Sequence, residues 1–149
     1  MHSFIARATM IATVGLMMAG CAGMQRSTSH PTPTVEPEHG LVYFYRESHF
    51  AGAAVQFDVR DNGNVIGALQ SGTYFFENAT PGEHTYSAKT EAKSDVTFNV
   101  EPGKTYYVQG SISMGFMAGH PHLKEVDAAT AQAALPKLDY AVKADKSSK

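Results

Sequence analysis

Four side chains close together near residue 120 are of types that bind metals. Met114 and Met117 offer thioether sulfur, and His120 and His122 offer imidazole nitrogen. Soft sulfur beside imidazole suits Cu(I), and neutral imidazole suits Zn²⁺ or Cu²⁺. The plainer expectation is that the methionines fill gaps in a loop, while the two histidines face water and Pro121 turns their rings apart. A second group is aromatic: Tyr43, Phe44 and Tyr45; Tyr74, Phe75 and Phe76; Tyr106 and Tyr107. Neighbours along a strand point to opposite faces. One set of rings is therefore either exposed, where tyrosine stacks on sugars or anchors a protein, or covered by a helix and loops. Cover is the expectation for most of them. Arg46 is expected to pair with an acid at a strand end, and His84 to open a strand. The sequence has no Gly-x-Ser-x-Gly elbow, no His-Glu-x-x-His and no Walker loop. Its carboxylates are scattered over strand faces expected to be wet, so the chain is read as non-enzymatic.

Cys21 is the only cysteine among 149 residues. An internal disulfide and a multi-cysteine zinc site are therefore excluded. Before it come Arg7, an apolar run over residues 8–19, and the small residues Ala19 and Gly20. The run is shorter than the roughly 20 apolar residues that span a bilayer, and the pattern is that of a secretory signal over residues 1–20. Leu16-Met17-Met18-Ala19-Gly20-Cys21 resembles the bacterial lipobox, with Met18 where leucine is commoner. The resemblance implies cleavage before Cys21 and a diacylglycerol on its sulfur, with an acyl chain such as palmitate on the new amino terminus. Two or three acyl chains, each buried methylene contributing about 0.8 kcal/mol, hold a protein to a membrane for good. Ala22 lacks the aspartate that resembles an inner-membrane retention signal. The expected location is the outer membrane of a bacterial envelope, facing the periplasm. Formal net charge is −2 and becomes −3 once Arg7 is removed with the leader. No basic field is available for nucleic acid, and the lipid, not charge, is the expected membrane partner. No other cofactor is expected.

The elements that must position these residues follow from periodicity. Residues 21–39 are rich in Pro, Ser and Thr and read as a tether, reaching roughly 55 Å if fully extended at about 3.1 Å per residue. Alternation of period two begins near residue 41 and marks half-buried strands at residues 55–59 and 96–100. Leu41-Val42-Tyr43-Phe44-Tyr45 is apolar on both faces and reads as a central strand. Further β-rich runs cover residues 65–70, 73–79, 84–90 and 105–112. Asp61-Asn62-Gly63-Asn64, Ser71-Gly72, Pro81-Gly82 and Pro102-Gly103 are turn signals. Seven strands are expected, or eight if residues 123–126 pair. Asp127 caps a short alanine-rich helix with a stripe of Ala128, Ala131, Leu135 and Leu138, which Pro136 ends or kinks. The domain is placed at residues 40–140 and a polar tail at 141–149.

Several of these pieces, in this order, resemble bacterial lipoproteins of the domain-of-unknown-function 2846 family, and more loosely PEGA-type β-sandwich modules. They are Val42-Tyr43-Phe44-Tyr45-Arg46, Asn62-Gly63, Gly72-Thr73-Tyr74 and Pro81-Gly82-Glu83-His84, then Pro102-Gly103-Lys104-Thr105-Tyr106-Tyr107-Val108. Leu123-Lys124-Glu125-Val126-Asp127 before the helix completes the set. The resemblance implies a mainly β chain: a single small antiparallel sandwich, transthyretin- or immunoglobulin-like, with a short C-terminal helix. It carries over no functional residue. Residues 114–122 read as an elaboration on the pattern. The expected role is a binding or adaptor module for an envelope protein or a glycan, with copper handling by Met114, Met117, His120 and His122 as the alternative.

Overall fold

The computed structural model describes residues 24–142. The leader, Cys21 and residues 143–149 lie outside the described residues. Between those limits are ten strands: β1 (Gln25–Ser27), β2 (Gly40–Arg46), β3 (Phe57–Asp61), β4 (Asn64–Leu69), β5 (Thr73–Ala79), β6 (Gly82–Lys89), β7 (Lys93–Val100), β8 (Thr105–Ser113), β9 (His120–Val126) and β10 (Asp139–Val142). One sheet has the order β1-β10-β5-β2-β8-β9 and the other β4-β3-β6-β7. The chain is mainly β, with a sandwich of two sheets and one short helix, α1 (Ala128–Ala134). The two unexpected strands are β1, in the proline-rich segment, and β10, after the helix. The larger sheet is mixed rather than purely antiparallel, because β2 runs parallel to β8 and β10 parallel to β5.

Strand β2 explains the layering. Val42 and Phe44 face the smaller sheet, and Tyr43 and Tyr45 face the other way. The first set enters the sandwich core with Phe57, Val59, Leu69, Phe75, Tyr86, Val100 and Val108. The Phe44 ring lies 5.0 Å from Phe75 and 4.9 Å edge-on from Tyr86, in the arrangements aromatic rings prefer. Gly67 makes room for this packing, since a Cβ there would come 2.7 Å from the Phe75 ring. The outer face of the smaller sheet is wet, with Asp58, Arg60, Thr97 and Asn99 exposed. At the β3–β4 hairpin both Asn62 (φ 46°) and Gly63 (φ 91°) are left-handed, as a two-residue turn matching the strand twist requires.

Two buried polar groups pin the ends of the sandwich, and both differ from expectation. Arg46 pairs with no acid. The residue is 2% exposed, and its guanidinium donates to the carbonyls of Val55 and Gly52, each at 2.6 Å. His84 is buried within β6. Its Nδ1 lies 2.8 Å from both Asp61 carboxylate oxygens, and its Nε2 lies 2.7 Å from the Thr80 carbonyl oxygen. Both partners only accept, so both nitrogens donate when the ring is an imidazolium. Burial opposes that charge. The Asp61 hydrogen bond, the Thr80 carbonyl and the negative charges of Asp61 and Glu77 outweigh it and hold the His84 pKa above its ordinary value. The ring also stacks on Tyr86 at 5.7 Å.

The sign of the pH effect follows by linkage. The stability contributed by His84 is complete below the unfolded value of about 6.5 and is lost as pH rises through the raised folded value. Urea unfolding between about pH 5.5 and 9 should show the native chain losing stability toward the alkaline end. His84→Gln should lack that component. A parallel pH dependence in the two proteins would show that His84 is not its source.

Candidate binding surface

The loop over residues 114–119 links β8 to β9. Met114 and Met117 project into solvent, 85% and 87% exposed. His120 and His122 lie on the same exposed face of β9, with Pro121 buried between them. The expectation that Pro121 turns the two rings apart does not survive, because a strand sends alternate residues to one side. His122 Nε2 lies 2.7 Å from Ser113 Oγ. The loop is held by its backbone: the Glu91 carboxylate accepts from the N–H groups of Met117 (3.2 Å), Ala118 (3.1 Å) and Gly119 (2.8 Å). Partial desolvation would raise the Glu91 pKa, but these three donors hold it below the usual carboxylate range. Among the described residues no group of three or more His, Cys, Asp or Glu side chains is placed to hold a metal, and each thioether is left to water.

The outward face of the six-stranded sheet is where the aromatic residues gather. Asp127 caps α1 by accepting from the Thr130 N–H at 2.8 Å. Its alanines let the helix approach closely, and Ala131, Ala134 and Leu138 pack on Tyr45, Tyr74 and Tyr107. Ala128, expected in this stripe, is exposed, and Ala134 takes its place. Pro136 sits in a single 3-10 turn, Leu135–Lys137, that follows the helix directly. The helix and the turn after it therefore cover Tyr45, Tyr74 and Tyr107, and cover was the expectation for most of these rings.

The proline-rich segment covers much of the remainder. It is extended, yet from Met24 onward it is laid against the sheet rather than free. Strand β1 pairs with β10, and Arg26 lies 3.6 Å from Asp139 and donates to Gln70 Oε1 at 3.2 Å. The His30 ring stacks on Tyr74 at 5.9 Å. The Asn78 side chain donates to the Thr34 carbonyl at 3.0 Å and accepts from the Glu36 N–H at 3.1 Å.

Between this strap and the end of the helix lies a cavity of about 310 Å³, lined by His30, Pro31, Tyr43, Tyr74, Leu135 and Pro136. That is near the lower end of the size range of ligand pockets. Tyr43 and Tyr74 stack with each other at 6.5 Å, and Tyr43 stacks on Tyr107 at 5.4 Å. Burial raises the pKa of both Tyr43 and Tyr74, with neighbouring tyrosines adding to it, so the hydroxyls stay protonated and can donate. The rings stack on one another and on His30, so the site offers ring edges, proline walls and a few hydroxyl and imidazole edges. It can hold a small or extended group by contact with those edges and walls.

The model of a family described as "Protein of unknown function (DUF2846)" matches residues 36–122, more than half of the chain. The chain belongs to the DUF2846 family. The DUF2846 match takes in the strands from β2 to the start of β9, and with them Tyr43, Tyr74 and the loop over residues 114–119. The strap up to Val35, the helix and β10 fall outside it. The cavity of this DUF2846 protein thus has its floor within the match, whereas His30, Pro31, Leu135 and Pro136 on its walls come from outside it. No curated protein and no solved structure matches the chain.

One buried group under the helix stands out. Among the described residues the Tyr45 hydroxyl is fully buried with no hydrogen-bond partner. Leaving such a group unsatisfied costs about 1–3 kcal/mol. Tyr45→Phe should therefore hold or raise stability, by up to about 1 kcal/mol in urea unfolding. A loss of that size would reveal a partner for the hydroxyl, such as an internal water.

Proposed function

We propose that this chain is a lipid-anchored, non-enzymatic binding module of the bacterial envelope. Cys21 carries the lipid at the outer membrane, facing the periplasm, and the aromatic cavity takes a glycan or an extended segment of an envelope protein. The observation that carries this reading is the stacked floor of Tyr43 and Tyr74 between the proline walls. Ring edges and proline walls give apolar contact, and a tyrosine hydroxyl fixes orientation. The non-enzymatic reading is supported by the state of one buried acid–base pair. His84 and Asp61 satisfy each other inside the sandwich rather than facing a cavity.

The test is crosslinking of the lipidated chain in intact cells, with captured species identified by mass spectrometry. A reproducible partner is expected with the native chain and with Tyr43→Phe, which keeps the stacking plane. It should be lost in Tyr43→Ala and weakened in the untethered Cys21→Ser form. A chain that melts like the native one but captures equally well as Tyr43→Ala would remove the cavity from the reading.

Periplasmic copper handling has one observation in its favour, the shared exposed face of His120 and His122 on β9. Under the binding-module reading, metal content after dialysis should be equal in the native chain and in a His120→Ala, His122→Ala double variant. A stoichiometric metal lost only in the variant would favour the copper reading, with Met114 and Met117 as further ligands.

A further inference from the structure

We propose that Met114 and Met117 form a reversible oxidation site, at which each thioether takes one oxygen atom from a hydroperoxide. This site stands apart from both the anchor and the aromatic cavity. The chain has seven methionines, and four of them (Met1, Met10, Met17 and Met18) precede Cys21. The other three are Met24, Met114 and Met117. Methionine ordinarily fills irregular gaps in a core. Met24 does so, half-buried against the core of the sandwich. Met114 and Met117 are instead 85% and 87% exposed. Both border one cavity of about 180 Å³, beside Val55 and Ile112. An oxidant therefore reaches both sulfurs directly from water, whereas Met24 is partly shielded.

With hydrogen peroxide the step balances as an oxygen-atom transfer. A sulfur lone pair attacks one peroxide oxygen. The S–O bond forms as the O–O bond breaks, and the departing hydroxide takes the remaining proton and leaves as water. Sulfur loses two electrons and the peroxide gains them. The product is methionine sulfoxide, a polar group where an apolar one stood. Two reductases, one for each sulfoxide epimer, reverse the step. A dithiol then supplies two electrons and two protons, and the oxygen leaves as water.

The fold does not depend on the two side chains that change. In a core, a sulfoxide would bury a polar group and disrupt packing. Here the loop is held by its backbone, from the turn between β6 and β7. The Glu91 carboxylate accepts from the N–H groups of Met117, Ala118 and Gly119, and the Thr90 hydroxyl donates to the Gly119 carbonyl. The chain passes close to β8 at that point, since a Cβ on Gly119 would come 2.7 Å from the Ile112 side chain. None of these contacts uses a methionine side chain. Oxidation therefore alters the surface and leaves the loop in place. Phe116 lies between the pair in sequence, and Phe50 precedes Ala51, which borders the same cavity. Both rings are also in water, 96% and 101% exposed. Two sulfoxide oxygens make this apolar patch polar, and their reduction restores it.

The test uses the chain from residue 21 with Cys21→Ser, which contains every described residue and has no thiol to consume the oxidant. Hydrogen peroxide is added, and oxygen uptake is mapped by peptide mass spectrometry. Met114 and Met117 should each gain one oxygen at the rate of a free methionine derivative, with Met24 several-fold slower. The melting temperature should not change, and retention on a hydrophobic column should fall. The two reductases with dithiothreitol should restore both mass and retention. In a Met114→Leu, Met117→Leu variant, peroxide should leave retention as it was. Four results would each overturn the proposal: Met24 oxidising as fast as the pair, a fall in melting temperature that the leucine variant does not share, unchanged retention of the oxidised chain, or sulfoxides that the reductases leave in place.

Discussion

Strand β2 must bury both of its faces, and most of the molecule answers that requirement. Val42 and Phe44 call for a second sheet, which the β4-β3-β6-β7 layer supplies. Tyr43 and Tyr45 call for a third layer, which a small helix only partly supplies. A seven-residue helix is far too short to be stable alone. It persists because its alanines seat closely on tyrosine rings and because Asp127 satisfies its first turn. What the helix leaves bare, the strap crosses. The cavity over Tyr43 and Tyr74 is the gap between two partial covers, and its aromatic floor follows directly from a central strand that is apolar on both sides.

The two ends of the sandwich are held by different chemistry. At the loop end a buried guanidinium is paired with carbonyls, and an exposed carboxylate with backbone N–H groups. A lone buried charge is expensive, and hydrogen bonds to fixed dipoles offset part of that cost. In return, loops that would otherwise sample many shapes keep one. Farther along β6, His84 and Asp61 join β6 to the end of β3 through a charged hydrogen bond, with Thr80 completing the set. The first arrangement does not depend on a titration near neutrality, whereas the second does. The same fold thus has a pH-indifferent clamp under its apolar tip and a pH-dependent one in its core.

Much of this was legible in the chain, and the illegible parts share a cause. The run at residues 73–79 is β5 to the residue, and the Asn62-Gly63 turn and the Asp127 cap stand where local chemistry puts them. The alternation of Val55, Phe57 and Val59 suggested one strand. Yet β3 begins at Phe57, because the Val55 carbonyl is turned to Arg46. Strands β1 and β10 have three and four residues, too few to show a period. Each exists because a distant partner is already in place. The fates of Arg46 and His84 were hidden for the same reason: a cation's partner can be a carbonyl, which every residue carries, or an acid 23 positions away. Composition offered the four Met and His residues as candidate ligands and expected the methionines to fill the loop, but Glu91 holds that loop by its backbone while Met114 and Met117 turn outward.

The strap changes what an anchor at Cys21 would mean. A free proline-rich leash would uncouple the domain from its membrane and let any face meet any partner. Here the segment is zipped to β10, stacked on Tyr74 and clamped by Asn78. The segment from Met24 onward is therefore held to the domain as one body. The strap also forms one wall of the aromatic cavity through His30 and Pro31. A ligand that wedges between strap and helix must strain the same contacts that fix the domain's position, and a force on the anchor must strain the cavity. If the cavity is filled and Cys21 anchored as proposed, occupancy and orientation act on one shared set of weak contacts.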